Sequence, residues 1–365
     1  MTLFSAGSDA NCSHSRNHSM RAALPRRVHR LCVLVATAAL LAVTCLPAPS
    51  SAAVEWVVQQ VQVLHRHGSR SAVPSYNTTA ICGATPCGYL NPEGEQMMVN
   101  VGSFLRKRYT TDTTVVDKAF LTSESYDLDV VSTYSTDVLR TLQSANLLLS
   151  GLFPNSGRLI PAIHILSGSG GFVLQTYLQP WVSLYGLHAA DAQAARINPL
   201  VDARFPKFSS LTALGASLHS ENFFSDYAKR WKCVSMLWDI AAAKRSIGQL
   251  PALAEKHYKD LQEIVAAAYR YMWYYNASDE FVVQQGGRGQ PFLEQVVKNI
   301  DGFLAGTNTF KVMQYSAHDV TLGPVWGTLG DSSVNAVLPP YSQTLVLELV
   351  KRTSDGAHGV RVLRG

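Results

Sequence analysis

The sequence predicts an α/β protein: a central, mostly parallel sheet flanked by helices, with a mainly helical domain inserted into it. Three observations predict it. Two short runs rich in β-branched and apolar residues, Val57 to Leu64 and Phe310 to Tyr315, each break off into polar and charged residues: His65-Arg66-His67-Gly68-Ser69-Arg70 and Ser316-Ala317-His318-Asp319. Stretches with apolar residues at helical spacing lie between the strand-like runs. From about residue 155 to 285 the strand patterns fade and aromatic residues at helical spacing dominate. The expected organisation is a leader over 1–53, an α/β core from 54–154 and 286–365, and an inserted helical cap over 155–285.

Within the leader, Arg21 to Arg30 form a basic run and Leu31 to Leu46 an apolar stretch, shorter than the roughly 20 residues of a membrane-spanning helix. Ser50-Ser51-Ala52-Ala53 supplies small residues for cleavage. We read a signal peptide cut near Ala53, with an uncleaved signal anchor as the other reading; Met20 is an alternative start. Most of the formal charge of +5 belongs to this segment. Of 31 basic and 26 acidic residues, the leader holds five arginines and one aspartate, so the rest nearly balance. No sustained basic stripe points to nucleic acid. With 47% hydrophobic residues, 365 residues can bury a substantial core.

A secretory route permits disulfides. Cys12, Cys32 and Cys45 fall in the leader. Cys82 and Cys87 flank a short loop containing glycine and proline and are the expected pair, which leaves Cys233 over. Asn77-Thr78-Thr79 and Asn276-Ala277-Ser278 are N-glycosylation sequons that agree with the same route.

A strand that ends in His-Arg-His-Gly-Ser-Arg is costly to build unless its charges meet a ligand, and ligands of open α/β sheets gather beyond the carboxyl ends of the strands. Arg66 and Arg70 offer planar, permanently charged forks that suit phosphate oxygens. Gly68 permits a tight turn or a close approach, and a histidine such as His67 can attack phosphorus through a ring nitrogen. The bland reading is a solvated basic turn. A third reading takes His65 and His67 as metal ligands on one strand face, although neither Cys-x-x-Cys nor His-Glu-x-x-His accompanies them.

Residues 71–90 read as loop. Asn91-Pro92-Glu93 then opens a helix as a cap followed by proline, carrying Met97, Met98, Val101, Phe104, Leu105 and Tyr109, with the basic last turn Arg106-Lys107-Arg108. Val130 to Tyr134 reads as a strand, and Ser135-Thr136-Asp137 caps a helix with Leu139, Leu142, Ala145, Leu148 and Leu149 on its buried side. Arg140 sits in the first turn of that helix, where a cation is electrostatically misplaced unless it and the helix N-terminus face a common anion; an outward-pointing arginine is the alternative. In the expected cap, Phe223, Phe224, Tyr227 and Trp231 start one helical run and Leu253 to Met272 mark another. Ser167-Gly168-Ser169-Gly170-Gly171 lacks the ending of a phosphate loop and reads as a turn. His164, His188, His219 and His257 read as structural or surface residues. Gln285 to Gly289 is a hinge-like return, Phe292 to Phe303 an amphipathic helix, and Thr344 to Val350 and Val360 to Val362 the final strands.

With both charged strand ends in view, the sequence resembles the histidine acid phosphatases, branch 2 of the histidine phosphatase superfamily. Arg66-His67-Gly68-Ser69-Arg70-Ser71-Ala72 resembles the family's Arg-His-Gly-x-Arg-x-Pro, and Ser316-Ala317-His318-Asp319 its His-Asp pair after a strand. Ser135-Thr136-Asp137-Val138-Leu139-Arg140-Thr141 is similar to its Ser-Thr-Asp-x-x-Arg helix start. Weaker echoes are Asn91 to Gln96 and Leu338-Pro339-Pro340-Tyr341.

The resemblance implies a phosphoglycerate mutase-like core and acid hydrolysis of phosphomonoesters without cofactor or metal. His67 is implied as the nucleophile that becomes phosphorylated, Arg66, Arg70, Arg140 and His318 as the clamp on phosphate oxygens, and Asp319 as proton donor to the leaving alcohol. Small phosphomonoesters or phosphoproteins are the implied substrates. The location implied is the secretory pathway: secreted, lysosomal or endosomal, or at the cell surface. A homodimer is admitted. Membrane attachment would come only through an uncleaved anchor or a C-terminal segment beyond Gly365, which family members usually carry. Phytase-like hydrolysis of inositol phosphates and a non-catalytic surface glycoprotein are the rival functions. Two departures stand out: Ala72 replaces the motif proline, and Val320 the hydroxyl residue that often follows His-Asp.

Overall fold

The computed structural model describes residues 55–116, 118–157, 161–166, 171, 173–175, 180–220 and 230–365, with backbone alone for 180–191, 281 and 285. The leader, Ser167 to Gly170, and Phe223, Phe224 and Tyr227 lie outside the described residues, as does the side chain of His188.

The first half of the core runs β1 (Trp56–Arg66), α1 (Thr78–Cys82), α2 (Pro92–Thr110), β2 (Val131–Ser135), α3 (Leu139–Leu152) and β3 (His164–Ile165). A helical stretch follows: α4 (Pro180–Arg204), α5 (Phe208–Ser217), α6 (Arg230–Ser246), α7 (Ala252–Lys256), α8 (Tyr258–Trp273) and α9 (Glu280–Gln285). The chain then returns through α10 (Gln290–Leu304), β4 (Val312–Ala317), α11 (Asp319–Thr328), α12 (Val334–Val337), β5 (Thr344–Arg352) and β6 (His358–Arg364).

These strands form one sheet in the order β3-β2-β4-β1-β5-β6. The first four are mutually parallel, and β5 and β6 add antiparallel. The expected sheet is thus present, with two differences. β3 draws His164 and Ile165 from the segment read as helical and pairs them with Tyr134 and Ser135. β1 runs two residues past the apolar run, because His65 and Arg66 stay in register with Ser316 and Ala317.

Burial on both faces explains the composition of the strands. Val61, Val63, Val131 and Val346 pack with Met98 and Leu105 of α2 and Leu148 of α3 on one face. Leu64, Met313, Tyr315 and Leu345 pack with Phe292 and Val296 of α10 and Leu322 of α11 on the other. Polar side chains within these layers are matched: Asn299 donates to Gln62 Oε1 and to the Tyr315 hydroxyl, each at 2.7 Å. The helical segment has a core of its own, in which Leu237 and Ile240 of α6 meet Leu261 and Ile264 of α8 and Ile197 of α4. Ala72 and Leu338, from loops beyond the strand ends, and Ile81 of α1 join that cluster. The helices are therefore anchored at the edge where β1 and β4 finish.

Candidate active site

The site begins with strand register. Pairing places Arg66 opposite Ala317 and Ser135 opposite Ser316, so β1, β2 and β4 finish side by side. Three chain segments beyond those ends supply the predicted residues. His67 follows β1 and donates its backbone N–H to Ala317 O at 3.0 Å. His318 is the N-cap residue of α11, Asp319 is that helix's first residue, and Arg140 lies in the first turn of α3.

The Arg-His-Gly turn is held by close backbone packing. A Cβ on Gly68 would lie 2.2 Å from Gly94 O, and one on Gly94 would lie 1.9 Å from Ser69 O. Asn91 fastens the same contact. Its side chain accepts from Gly94 N and donates to Ser69 Oγ, both at 2.8 Å. The Asn-Pro-Glu-Gly echo thus has a physical role: it seats the start of α2 against the Arg-His-Gly turn. At Ala72 the loop needs no proline. Arg70 bridges Leu90, Ala72 O accepts from Gly88 N, and Cys82 and Cys87 are joined by a disulfide within this loop.

His67 is buried, and its Nδ1 lies 2.8 Å from Gly68 O. A carbonyl only accepts, so Nδ1 carries the proton and Nε2 keeps its lone pair. Burial first, then the cations Arg66 and Arg70, hold this imidazole well below the usual histidine range. The environment therefore favours the neutral ring, the form whose free lone pair can attack phosphorus.

Arg66 is tied three ways: to Asp319 Oδ2 at 2.8 Å, to Pro339 O at 2.7 Å, and over the Tyr341 ring at 4.3 Å. Arg70 pairs through both terminal nitrogens with Asp239 of α6, at 2.7 and 3.3 Å. The Nε atoms of Arg66, Arg70 and Arg140 are buried without a hydrogen-bond partner, as is the Tyr341 hydroxyl. Buried donors left unpaired are costly, and the three guanidiniums that carry them all surround His67 closely enough to act on its charge, an arrangement that suits an anion with several oxygens. Burial and the neighbouring Arg70 lower Arg140 to about 10, which still leaves it charged. The outward-pointing reading of Arg140 is thereby replaced: it is half-buried and reaches His318 Nδ1 at 3.4 Å.

His318 closes the ring. Its centroid lies 5.5 Å from that of His67. Arg140 can only donate, so Nδ1 of His318 accepts, and Nε2–H donates to Thr136 Oγ1 at 2.9 Å. Thr136 passes its proton to Thr141 Oγ1 at 2.8 Å, and Thr141 donates to Val138 O at 2.7 Å. Burial, then Arg140, depress His318 to about 3. The Ser135-Thr136-Asp137 stretch therefore does not cap the helix as expected. Val138 occupies the N-cap, Asp137 is exposed, and the threonine hydroxyls serve His318 instead.

For Asp319, burial would raise the carboxyl, but Arg66 and then Arg70 outweigh it and hold it below the usual range. Its Oδ1 accepts the Val320 N–H at 2.8 Å, a bond that needs no hydroxyl at position 320. His65 stands apart from the cluster. Its Nε2 accepts from Gln314 at 2.9 Å and its Nδ1 meets Arg66 O at 3.2 Å, so both ring nitrogens are used within the sheet. That engagement removes it from a shared ligand set with His67 and His318. Among the described residues no three His, Cys, Asp or Glu side chains gather in a metal-binding group.

A cavity of about 860 Å³ opens over Arg66, Arg70 and Asp319. Its far wall comes from α6 and α8: Trp231, Met236, Trp238, Tyr258, Tyr269 and Met272, with Lys232 and Arg245 among them. The sequence reading missed Asp239 and the roles of Thr136 and Tyr341. Asp239 did leave a trace, as the sole acid of α6, a helix otherwise rich in buried apolar residues.

The family model described as histidine phosphatase superfamily (branch 2) matches residues 57–171, the stretch that holds the Arg-His-Gly turn and Arg140. Over that stretch the chain is similar to branch 2 of the histidine phosphatase superfamily. Among curated relatives, testicular acid phosphatase of Mus musculus is 27% identical over 309 residues, 79% of this chain and 66% of that one. Lysosomal acid phosphatase of Xenopus laevis is 28% identical over 310 residues, 80% of this chain and 66% of the relative. Lysophosphatidic acid phosphatase type 6 of Bos taurus is 27% identical over 281 residues, 75% and 59% respectively. The chain thus spans less than two thirds of the length of these relatives. The fold is shared with the phytase of Citrobacter braakii (TM-score 0.58, 17% identity, 84% of each chain). It is also shared with the multiple inositol polyphosphate phosphatase of Bifidobacterium longum in complex with inositol hexasulfate (TM-score 0.60, 14% identity, 88% of each chain).

Proposed function

We propose that the protein is an acid phosphatase that hydrolyses phosphomonoesters through a phosphohistidine on His67. One observation carries this reading: the His67 ring is locked by Gly68 O with its Nε2 lone pair free, inside a clamp of three guanidiniums. In the first step Nε2 bonds to phosphorus as the ester P–O bond breaks. Arg66, Arg70 and Arg140 take up charge on the equatorial oxygens, and Asp319 gives the leaving oxygen its proton. In the second, water loses a proton to the Asp319 carboxylate and attacks phosphorus, freeing His67 and releasing phosphate.

Asp319 rests as an anion against Arg66. It becomes a donor when a phosphate draws Arg66 away and a proton arrives with the monoanionic ester or from an acidic medium. An acidic optimum follows from this need.

The aromatic and apolar wall fits one phosphate on an apolar body, the kind of substrate that the name of the Bos taurus relative describes for that protein. A phytase-like reading draws on Lys232 and Arg245 beside the clamp, yet Arg245 is already paired with Glu255 at 2.9 Å. The sequons at Asn77 and Asn276, both exposed, support residence in the secretory pathway together with the leader and the disulfide. No helix among the described residues is long and apolar enough to cross a membrane. An inserted helical cap over 155–285, setting substrate choice, is part of the same proposal.

The test is release of alcohol from an aryl phosphate at acidic pH in excess EDTA, comparing the wild type with His67→Ala. Turnover that survives chelation and vanishes in the variant supports the phosphohistidine. Ligand binding without turnover by folded wild type would favour the non-catalytic glycoprotein.

A further inference from the structure

We propose that Asp239 is a specificity-determining residue of the site: it sets the charge of the phosphate clamp so that a phosphate group is accepted only together with one proton. The inference rests on the phosphatase reading above and deepens it.

The argument is one of charge and position. Arg66, Arg70 and Arg140 bring three permanent positive charges to the pocket. Asp319 stands against Arg66 at 2.8 Å and Asp239 against Arg70 at 2.7 Å. His318 is neutral because its Nδ1 accepts from Arg140, and His67 because it is buried beside Arg66 and Arg70, which disfavour its charged form. Of the other cations lining the cavity, Arg245 is paired with Glu255 and Lys232 is exposed to water, so the buried clamp itself sets three guanidiniums against two carboxylates and carries one unit of positive charge, which matches a phosphate monoanion. A dianion would bring one negative charge too many into a buried site, where uncompensated charge is expensive. The proton that restores the balance is the one Asp319 needs as donor. Charge selection and acid catalysis therefore demand the same proton.

Asp239 is suited to this role. It reaches the clamp from α6, within the helical segment, and does not belong to the strand ends that carry the chemistry. It also accepts the Val73 N–H at 2.9 Å, so it is held whether or not Arg70 turns toward a ligand. The charged and titratable groups facing it are Arg70 and Arg66 from the end of β1, Arg140 from α3, Tyr341 from the loop before β5 and Tyr269 from α8. Burial would raise the Asp239 carboxyl, but Arg70 outweighs it and keeps the group ionised. The same negative charge faces the cavity, where it opposes a second phosphate on the substrate.

The probe is inorganic phosphate, whose affinity for wild type, Asp239→Asn and Asp239→Glu is measured by calorimetry from pH 6 to 8.5, with turnover of an aryl phosphate alongside. Wild type is expected to lose about tenfold in affinity per pH unit above the second ionisation of phosphate, because binding takes up one proton. Asp239→Asn should bind the dianion, flatten that dependence and bind at least about tenfold tighter than wild type at the alkaline end. Asp239→Glu should keep the wild-type slope. If Asp239→Asn is folded and binds phosphate with the wild-type slope, whether more weakly or equally, Asp239 only positions Arg70 and this inference is overturned. Absence of both phosphate binding and turnover in wild type would overturn the proposed function itself, and this inference with it.

Discussion

His318 donates its Nε2 proton to Thr136 Oγ1 at 2.9 Å, and the chain continues through Thr141 to the carbonyl of Val138. A single hydroxyl at the end of β2 thus decides the tautomer of an imidazole at the end of β4. Thr136→Val keeps the shape and removes the acceptor. The expected result is a fall in kcat/KM of about tenfold, near the value of one buried hydrogen bond, together with a loss of about 1–3 kcal/mol in stability because the buried Nε2–H is left unpaired. Steady-state kinetics with a denaturation control would check it, and an unchanged kcat/KM would show that the threonine does not orient the ring.

Asp319 offers a sharper test through the leaving group. With Asp319→Asn the donor is lost, and alkyl phosphates should slow by about a hundredfold or more. Aryl phosphates with good leaving groups need less protonation and should slow far less. A series of esters graded in leaving-group pKa reads the difference directly. Equal loss across the series would place Asp319 outside proton donation.

Stability should depend on pH in a definite direction. His65 and His318 are lowered from 6.5 to about 4 and about 3, each by burial first, so the unfolded chain binds protons that the folded one refuses. Stability from these groups is complete above 6.5 and is lost as pH falls toward the folded values. The slope is about 1.4 kcal/mol per pH unit for each imidazole. Melting temperature should therefore drop between pH 7 and 4, and inorganic phosphate should restore part of it by binding the native clamp. Thermal melts across that range, with and without phosphate, would reveal a flat profile if the histidines were not buried as described.

Gly68→Ala is expected to be damaging although alanine is small. Its Cβ would fall 2.2 Å from Gly94 O, a backbone atom at the start of α2 that cannot swing aside. Overpacking of this kind costs about 1–3 kcal/mol, and the displaced turn should lower kcat as well. Denaturant melts and kinetics on the same variant would show both losses; wild-type values for both would contradict the close packing.

Much of the site was legible because strand ends can be read locally. His67, Arg66 and Arg70 follow one apolar run, His318 and Asp319 another, and Arg140 starts a helix with an obvious apolar face. Periodicity also exposed α2, α3, α8 and α10. The errors lay where local rules compete with distant partners. Thr136 has the chemistry of a helix cap, yet its hydroxyl is claimed by a histidine 182 residues away. His65 has the spacing of a metal ligand, yet Gln314 of the adjacent strand takes its free nitrogen.

By itself the sequence determined which residues carry charge, where the long strands and helices of the core run, and that two strands end in charged residues, because periodicity, turn residues and side-chain type act within a few positions of the chain. The tertiary structure alone decided the rest. Parallel register between β1 and β4 brings Arg66 beside Ala317 and so His67 near His318. The packing of α6 and α8 carries Asp239 across 169 residues to Arg70. That placement sets a carboxylate against one of the three guanidiniums, and no local pattern records it, because electrostatic balance depends on distances in space and not on separation along the chain.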